Sequence, residues 1–339
     1  MRLIKTEDAV GHVLCHDMTQ IIKDQYKDAR FRKGHVVTEE DIPVLLSMGK
    51  EHLYVWEMTS GMVHENDAAE RLLALCGQEN MIRSGVKEGK IELKAACDGV
   101  FLVDSARLVA VNSQDEVMIA TRKGGMAVRE GDKLAGMRVI PLIIEEEKLR
   151  KAEQAAGDKP LLSLKPYVRK TACIVATGGE VKKGLIKDTF TPVVIDKLKT
   201  YGIETLEVVY SGDGVENVRD AVLTMREKKP DMILCTGGMS VDPDDNTPGG
   251  IKAAGANIIV YGAPVLPGAM FLLGYFDDGM PVMGLPGCVM YAGATVFDLV
   301  LPKIAADVPV TRADLAALGE GGLCLGCKPC YYPICPFGK

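Results

Sequence analysis

Asp231-Met-Ile-Leu-Cys-Thr-Gly-Gly-Met-Ser240 decides how the centre of this 339-residue chain is interpreted. A short apolar run that ends at Gly-Gly is typical of a buried parallel strand that leads into a loop. The same pattern occurs earlier, as Thr171-Ala-Cys-Ile-Val-Ala-Thr-Gly-Gly179. Parallel strands place such loops at one edge of a sheet, which is where open α/β sheets bind ligands. The pair therefore predicts a ligand site at the carboxyl ends of two strands.

The glycines in these loops indicate the kind of ligand. Glycine lets backbone N–H groups approach an anion closely, as they do in phosphate-binding loops. One such triplet alone is more typical of a tight turn without a ligand, whereas two of them favour a site. The residues predicted to contact the ligand are Thr177, Gly178, Gly179, Thr236, Gly237, Gly238 and Ser240.

The second loop continues into three carboxylates, those of Asp242, Asp244 and Asp245. Carboxylates are hard oxygen ligands that suit Mg²⁺ shared with a substrate phosphate. Three of them close together repel one another unless a cation or hydrogen-bond donors compensate. The alternative is that they are solvated, or that they cap a helix that begins at Thr247-Pro248. We predict that Asp242 and Asp245 are metal ligands.

These segments, in this order, resemble the molybdopterin-binding domain that molybdenum insertases and molybdopterin adenylyltransferases share. The similarity extends from about residue 170 to about residue 309. It is greatest to a variant known simply as molybdopterin-binding protein, which also has an N-terminal extension and a cysteine-rich tail. The matching segments are 177–181, 184–188, 236–241, 242–245, 247–248 and 284–287.

The resemblance implies roles for single residues. Glu180 corresponds to the acidic residue of the insertase Thr-Gly-Asp-Glu motif, and Asp188 to an aspartate that faces the pterin phosphate region. Asp245 corresponds to a metal-coordinating aspartate, so these three are predicted to be catalytic. Pro286 and Gly287 match the family's last loop and are predicted to contact the cofactor.

The chain also departs from the family pattern. Gly179 stands where the insertase motif has an aspartate, and Cys288-Val289 stand where the family has Asn-Pro. We find no counterpart of the insertases' N-terminal motif around Asp-Gly-Tyr-Ala. These departures count against molybdenum-insertion chemistry and leave pterin binding intact.

The resemblance implies a protein of molybdenum-cofactor metabolism that binds molybdopterin or the molybdenum cofactor. Its reaction would be adenylyl transfer or molybdenum insertion, with ATP, molybdate and Mg²⁺ as further ligands. One alternative is a non-catalytic carrier that hands the cofactor to a client molybdoenzyme. Another is a hydrolase similar to nucleotide pyrophosphatases. We also expect the chain to form a homo-oligomer.

The order of predicted elements gives the fold class. Strands alternate with helices over residues 160–310, which predicts a three-layer α/β/α domain with a mostly parallel sheet. Within it, Asp213 is expected to cap a helix, and a closing helix is expected to begin at Tyr291. An α+β region, residues 1–150, precedes this domain, and a short cysteine-rich tail, residues 311–339, follows it.

Composition excludes several classes of protein. A net charge of −6 argues against binding nucleic acid, which needs a basic face. No run approaches the ~20 apolar residues of a membrane span. The charged first residues are unlike a signal peptide, so we expect a cytoplasmic protein with no membrane partner. Ten cysteines in such a protein indicate free thiols rather than a disulfide framework.

The tail is the second strong signal. Cys324, Cys327, Cys330 and Cys335 follow one another at a spacing that lets successive thiolates turn toward one ion or cluster. Zinc and an iron–sulfur cluster both fit thiolate ligands, and the sequence leans slightly to a cluster. The alternative is a flexible tail of free thiols or incidental disulfides. We expect the central domain to fold without the residues after Gly322.

Three N-terminal segments contain polar residues but predict no site. Cys15-His16-Asp17 is interpreted as a core cysteine with surface polar neighbours, because adjacent residues of a strand point to opposite faces. His64-Glu65-Asn66 is interpreted as a helix cap. Phe31-Arg-Lys-Gly-His35 is a modest basic segment that could hold a phosphate, although most such segments are only solvated.

Overall fold

The computed structural model describes residues 2–22, 26–55, 61–240 and 245–339. No helix in these ranges is long and apolar enough to cross a membrane. The chain divides into two compact units. The first consists of Met1–Ala96, Val103–Gly124 and Gly131–Ser163. The second consists of Cys97–Leu102, Gly125–Glu130 and Leu164–Lys339.

The strands and helices are as follows. The strands are β1 (Arg2–Lys5), β2 (Met18–Ile22), β3 (Tyr26–Phe31), β4 (His52–Val55), β5 (Met62–His64), β6 (Met81–Arg83), β7 (Ile91–Ala95), β8 (Gly99–Val103), β9 (Val117–Thr121), β10 (Met126–Val128), β11 (Lys133–Val139), β12 (Ile143–Glu145), β13 (Leu162–Pro166), β14 (Thr171–Thr177), β15 (Glu204–Ser211), β16 (Met232–Thr236), β17 (Asn257–Tyr261), β18 (Leu272–Tyr275) and β19 (Pro281–Leu285). The helices are α1 (Asp41–Ser47), α2 (Glu65–Ala74), α3 (Ser105–Asn112), α4 (Glu146–Ala156), α5 (Gly179–Lys182), α6 (Phe190–Lys199), α7 (Val215–Glu227), α8 (Thr247–Ala253), α9 (Val296–Ala305) and α10 (Arg312–Ala317), with short 3₁₀ helices at Thr6–Asp8 and Gly287–Met290.

The first unit mixes short antiparallel strands with helices. Its largest sheet has the order β6-β7-β11-β9, and the pairs β1–β4, β2–β3 and β5–β12 are also antiparallel. Helix α4 buries Leu149, Ala152 and Ala156 along one side and ends at Gly157, whose φ is +62°. Its charged residues therefore cover only the other side of an amphipathic helix.

The second unit contains a six-stranded sheet in the order β15-β14-β16-β19-β18-β17. The first four strands are parallel, and β18 and β17 add an antiparallel edge. A three-stranded sheet, β10-β8-β13, lies mostly in the same unit. The prediction of an α/β domain with a mostly parallel sheet is confirmed.

The large sheet is covered on both faces. Along β14, Ala172 and Ile174 face a core shared with α6 and α9, whereas Cys173 and Val175 face a core shared with α7 and α8. Strands buried on both faces read as continuous apolar runs, which is why the pattern was visible in the sequence. The arrangement is the predicted three-layer α/β/α sandwich.

One helix start, that of α9, differs from the sequence prediction, and at α8 the predicted start is kept but its threonine has another role. The closing helix α9 begins at Val296 rather than at Tyr291, because Thr295 and Asp298 form a capping box there. Helix α8 begins at Thr247, with Asn246 in the N-cap position. The Thr247 hydroxyl does not cap α8, since it donates instead to the carbonyl oxygen of Gly237.

Candidate functional site

Three loops leave the large sheet at the same edge. Strands β14, β16 and β19 are parallel neighbours, and each is followed at its carboxyl end by one of the predicted segments. Thr177 ends β14, Thr236 ends β16 and Pro286 follows β19. The fold thus brings together loops that lie far apart in the sequence, as expected for a ligand site in an open α/β sheet.

Buried threonine hydroxyls tie the first two loops together. Thr177 donates from Oγ1 to the carbonyl oxygen of Thr236 at 2.9 Å. Thr247 donates from Oγ1 to the carbonyl oxygen of Gly237, also at 2.9 Å. The two hydroxyl oxygens lie 3.2 Å apart. These bonds fix the backbone of the Gly237 turn against the end of β14.

Gly237 and Gly238 are both in the left-handed region, with φ of +83° and +57°. A Cβ on Gly237 would collide with the carbonyl oxygen of Thr177. A Cβ on Gly238 would lie 2.6 Å from Oγ1 of Thr247. Both conformation and space therefore require glycine at these positions.

The rest of the second loop is anchored on both sides. Met239 is buried and packs against Gly284 of β19, and its carbonyl oxygen accepts a hydrogen bond of 2.9 Å from the Tyr261 hydroxyl. Asp245 accepts a bond of 2.7 Å from the backbone N–H of Ser240. Asp245 thereby closes the loop. Asp242, the other predicted metal ligand of this loop, lies outside the described residues.

The first loop is short and carries positive charge. The N–H of Gly179 donates to Oδ2 of Asp213 at 2.9 Å, so Asp213 holds this loop rather than capping α7. Gly178 has a φ of +139°. Glu180 lies on α5 and its side chain is exposed. Three further exposed residues of this loop and the one that follows are cationic, namely Lys182, Lys183 and Lys187.

Asp188 serves the start of α6. Its Oδ1 accepts from the N–H groups of Phe190 and Thr191 at 2.9 and 3.0 Å, and its Oδ2 accepts from the Tyr210 hydroxyl at 3.2 Å. Burial raises the pKa of Asp188, but these hydrogen bonds outweigh it, so the pKa lies below its ordinary value. The structure thus gives Asp188 a capping contact, and its catalytic role stays a prediction.

The third loop joins β19 to a short 3₁₀ helix. Pro286 precedes this helix and Gly287 is its first residue. No heavy atom lies within 4 Å of the position that a Cβ on Gly287 would take. The loop is therefore open to a ligand, while Met290 at its far end contacts the hydroxyl of Thr189 before α6.

The predicted metal ligands do not form a closed ion site. Among the residues that the structure describes, no three His, Cys, Asp or Glu side chains are grouped to hold one ion. Cys327 and Cys330 are exposed, and Cys324 and Cys335 are partly buried. All four tail cysteines nevertheless line one cavity of about 320 Å³ in the second unit.

Sequence analysis missed several residues that shape the loops. Asp213 was expected to cap a helix, so its contact with the N–H of Gly179 was not predicted. The hydrogen bond from Thr247 to Gly237 was not predicted either, because a threonine before proline is also a common helix start. Tyr210 and Tyr261 gave no signal at all, since their hydroxyls reach the loops from other strands of the sheet.

The first unit contains a polar cavity of about 650 Å³ that the sequence did not reveal. It is lined by residues from all three N-terminal segments, including His16, Lys33 and His64. Nε2 of His64 lies 2.7 Å from the carbonyl oxygen of Cys15, so Nε2 carries the proton and Nδ1 accepts from Lys33 at 2.9 Å. Nδ1 of His16 is buried and has no partner among the described residues.

Comparison with known protein families gives a match over the part of the chain that contains the three loops. Residues 173–306 match the family model described as a probable molybdopterin binding domain. The chain contains a domain of this family. The resemblance inferred from the sequence is confirmed, and such a domain fits a role in molybdenum-cofactor biosynthesis. Residues 3–57 match a separate model, described as a domain of unknown function.

The curated relatives match only part of the chain. The CinA-like protein of Mycobacterium tuberculosis (strain H37Ra) is 33% identical over 76 residues, which are 22% of this chain and 18% of that protein. The CinA-like protein of Petrotoga mobilis is 32% identical over 76 residues, again 22% of this chain and 19% of that protein. The match thus spans less than a fifth of the length of these relatives.

Solved structures that match part of this chain include two molybdopterin biosynthesis proteins. MoaB from Thermus thermophilus is 16% identical, covers 42% of this chain and 98% of its own, and has a TM-score of 0.36. The Mog protein from Mycobacterium ulcerans is 20% identical, covers 41% of this chain and 99% of its own, and has a TM-score of 0.35.

Proposed function

We propose that this chain binds molybdopterin through the three loops at the sheet edge and acts in the biosynthesis or delivery of the molybdenum cofactor. The observation that carries the proposal is the turn at Gly237 and Gly238. Its backbone is fixed by Thr177 and Thr247, and its two glycines carry no side chain that would cover their N–H groups. Backbone N–H groups in such a turn suit the terminal phosphate of the pterin.

Positive charge near the loops also favours an anionic ligand such as the pterin phosphate. Lys182, Lys183 and Lys187 are exposed on and after the first loop, which leaves the sheet beside the second. Cations near a phosphate-binding turn raise the local concentration of anionic ligands. The remaining predicted contacts, at Thr236, Ser240, Pro286 and Gly287, would line the same edge.

Calorimetric titration with molybdopterin under anaerobic conditions tests this site. Gly238→Ala places a methyl group against Thr247 and should lower the affinity at least about tenfold, which is about 1.4 kcal/mol. Gly255→Ala is the matched control, because Gly255 has a φ of +93° but no heavy atom within 4 Å of its Cβ position. It introduces similar backbone strain away from the loops. Equal affinities for a folded Gly238→Ala variant and the parent would remove this site.

Mg²⁺ belongs to the same proposal. Asp245 closes the second loop and, with Glu180 and Asp188, would supply carboxylate oxygens to the cation or to molybdate. Asp245→Asn keeps the shape and one acceptor oxygen but loses the charge, so the dependence of molybdopterin affinity on Mg²⁺ should weaken. Asp220→Asn, which alters an exposed acid paired with Arg219 at 2.8 Å, should leave it unchanged. If the molybdopterin affinity of Asp245→Asn depends on Mg²⁺ as that of the parent does, Asp245 only closes the loop and does not bind the cation.

Turnover separates the three versions of the function. An adenylyltransferase releases pyrophosphate from Mg-ATP only when molybdopterin is present, and an insertase incorporates molybdate into adenylylated pterin. A carrier binds pterin and transfers it to a client molybdoenzyme with no turnover of its own. Hydrolysis of a nucleotide without pterin would instead favour the pyrophosphatase-like alternative. The missing aspartate before Glu180 favours the carrier over the insertase.

A further inference from the structure

The four tail cysteines share one cavity, here called the tail cavity. Its walls consist of the segment Tyr291–Ala294, Pro267 and much of the tail from Cys324 to Phe337. The volume is about 320 Å³. Four cysteines thus line one space, although they are spread over twelve residues of sequence.

The fold itself shapes the tail cavity, because the tail is fixed to the domain at both ends. At its start, the N–H of Leu266 donates to Gly322 and the N–H of Cys324 donates back to Leu266, both at 2.8 Å. At its end, Phe337 is buried in the core, and the Tyr332 hydroxyl donates to the carbonyl oxygen of Asp298 at 3.0 Å. The thiols are therefore held by the fold rather than carried on a loose segment.

The opposite wall is shaped to admit one of the thiols. A Cβ on Gly293 would lie 2.8 Å from both Cβ and Sγ of Cys330. Glycine at this position lets the tail approach the segment after the third loop. Its role is close packing, because Gly293 does not have a positive φ.

Four of the six cysteines outside the tail have a different environment. Cys15, Cys76, Cys173 and Cys235 are buried, and burial raises the pKa of each thiol, to about 12 for Cys76 and Cys235. Thiolates are the form that binds metals, so these four are poor ligands. In the tail, by contrast, Cys327 and Cys330 are exposed, and Cys324 and Cys335 are partly buried.

We propose that the tail cavity binds an iron–sulfur cluster through Cys324, Cys327, Cys330 and Cys335. Four thiolates are the ligand count of such a cluster, and each thiol gives up its proton as its sulfur bonds to iron. A tetrahedral zinc ion needs its four sulfurs at about 2.3 Å from one point. Among the described residues no three of these thiols are grouped to hold one ion, and the cavity of about 320 Å³ that the four cysteines line leaves room for a polynuclear centre. Lys328 lines the same cavity and offers positive charge to an anionic cluster.

The test uses the full chain, purified without oxygen and then reconstituted with ferrous iron and sulfide. The parent should contain iron and acid-labile sulfide in equal amounts, with broad visible absorption that bleaches in air. The double variant Cys327→Ser/Cys330→Ser should lose at least about nine-tenths of both, since half of the ligands of a four-thiolate cluster are gone. Both residues are exposed, so the fold should survive. Cys97→Ser, which changes a partly buried cysteine outside the tail cavity, should retain the cluster.

A second variant tests the cavity rather than the ligands. Gly293→Ala pushes against Cys330 and should lower the iron content while all four cysteines remain. Gly85→Ala is its control, because no heavy atom lies within 4 Å of that Cβ position. Zinc without iron, no bound metal after reconstitution, or full iron in the double variant would each overturn the proposal. Molybdopterin affinity, measured on the same variants, should stay at the parent value, so failure here is distinct from failure of the proposed function.

Discussion

The glycine loops and the cysteine tail both lie on the second unit, but they are held there by different forces. The loops are fixed by hydrogen bonds among backbone groups and the hydroxyls of Thr177 and Thr247. The tail is fixed largely by the burial of aromatic side chains, with Tyr332 and Phe337 in contact with the core. Substitutions should therefore affect the loops through local geometry and the tail through the stability of the whole unit.

The largest effect is expected in the tail. Phe337→Ala removes a ring that is 2% exposed and should lower the free energy of unfolding by about 3–5 kcal/mol. Ile334→Ala removes an apolar side chain of the same segment that is 86% exposed, and should change stability by less than about 0.5 kcal/mol. Urea unfolding of both variants measures the difference. Equal stabilities would mean that the tail does not belong to the core in solution.

This prediction revises one made from the sequence. The sequence suggested that the domain would fold without the residues after Gly322, because the closing helix ends earlier. The structure shows that α10 and the tail return to the core, where Phe337 is buried and Gly338 donates to the carbonyl oxygen of Gly321 at 2.9 Å. Truncation should therefore destabilise the second unit.

An intermediate effect is expected in the second loop. Gly237→Ala forces a non-glycine residue into the left-handed region and against the carbonyl oxygen of Thr177. The cost should be about 1–3 kcal/mol in the free energy of unfolding. The Gly255→Ala control has the strain without the collision, so the difference between the two variants isolates the contact between the loops. If both cost the same, Thr177 does not restrain this turn.

The smallest effect is expected at Asp188. Because its pKa is lowered in the folded state, its stabilising contribution is present above the unfolded-state pKa of about 3.9 and is lost as the pH falls through the folded value. Asp188→Asn should cost about 1 kcal/mol or less at neutral pH and should flatten the loss of stability in acid. Thermal unfolding between about pH 3 and pH 7 checks this. A variant with the parent's acid profile would show that the cap at α6 contributes nothing.

The sequence predicted the strands and loops that a short run of neighbouring residues is enough to define. The apolar runs before each Gly-Gly identified β14 and β16, and continuous burial on both faces made them recognisable. Residue spacing could not reveal contacts made across the sheet, such as that of Asp213 with Gly179. The segments that contain His16, Lys33 and His64 looked unrelated for the same reason, because only the tertiary fold places them around one cavity.

In the tail, too, the sequence pattern indicated the candidate ligands but not the contacts that hold them in place. Cysteine spacing predicted that the four thiols would turn toward one ion or cluster. They line one cavity, but among the described residues no three of them are grouped to hold one ion. The spacing carried no information about Tyr332, Phe337 or Gly293, which position the tail on the core. Aromatic residues in a short Gly/Pro-rich segment gave no periodic signal that could have assigned them to the core of a preceding domain.

The central claim is that the loops around Gly238 bind molybdopterin. The most direct measurement is mass spectrometry of the small molecules that remain bound to the anaerobically purified full chain, to Gly238→Ala and to Gly255→Ala. The account predicts a phosphorylated pterin with the parent and with Gly255→Ala, and its loss from Gly238→Ala. Equal amounts of pterin in all three proteins, or a bound nucleotide with no pterin in the parent, would contradict it.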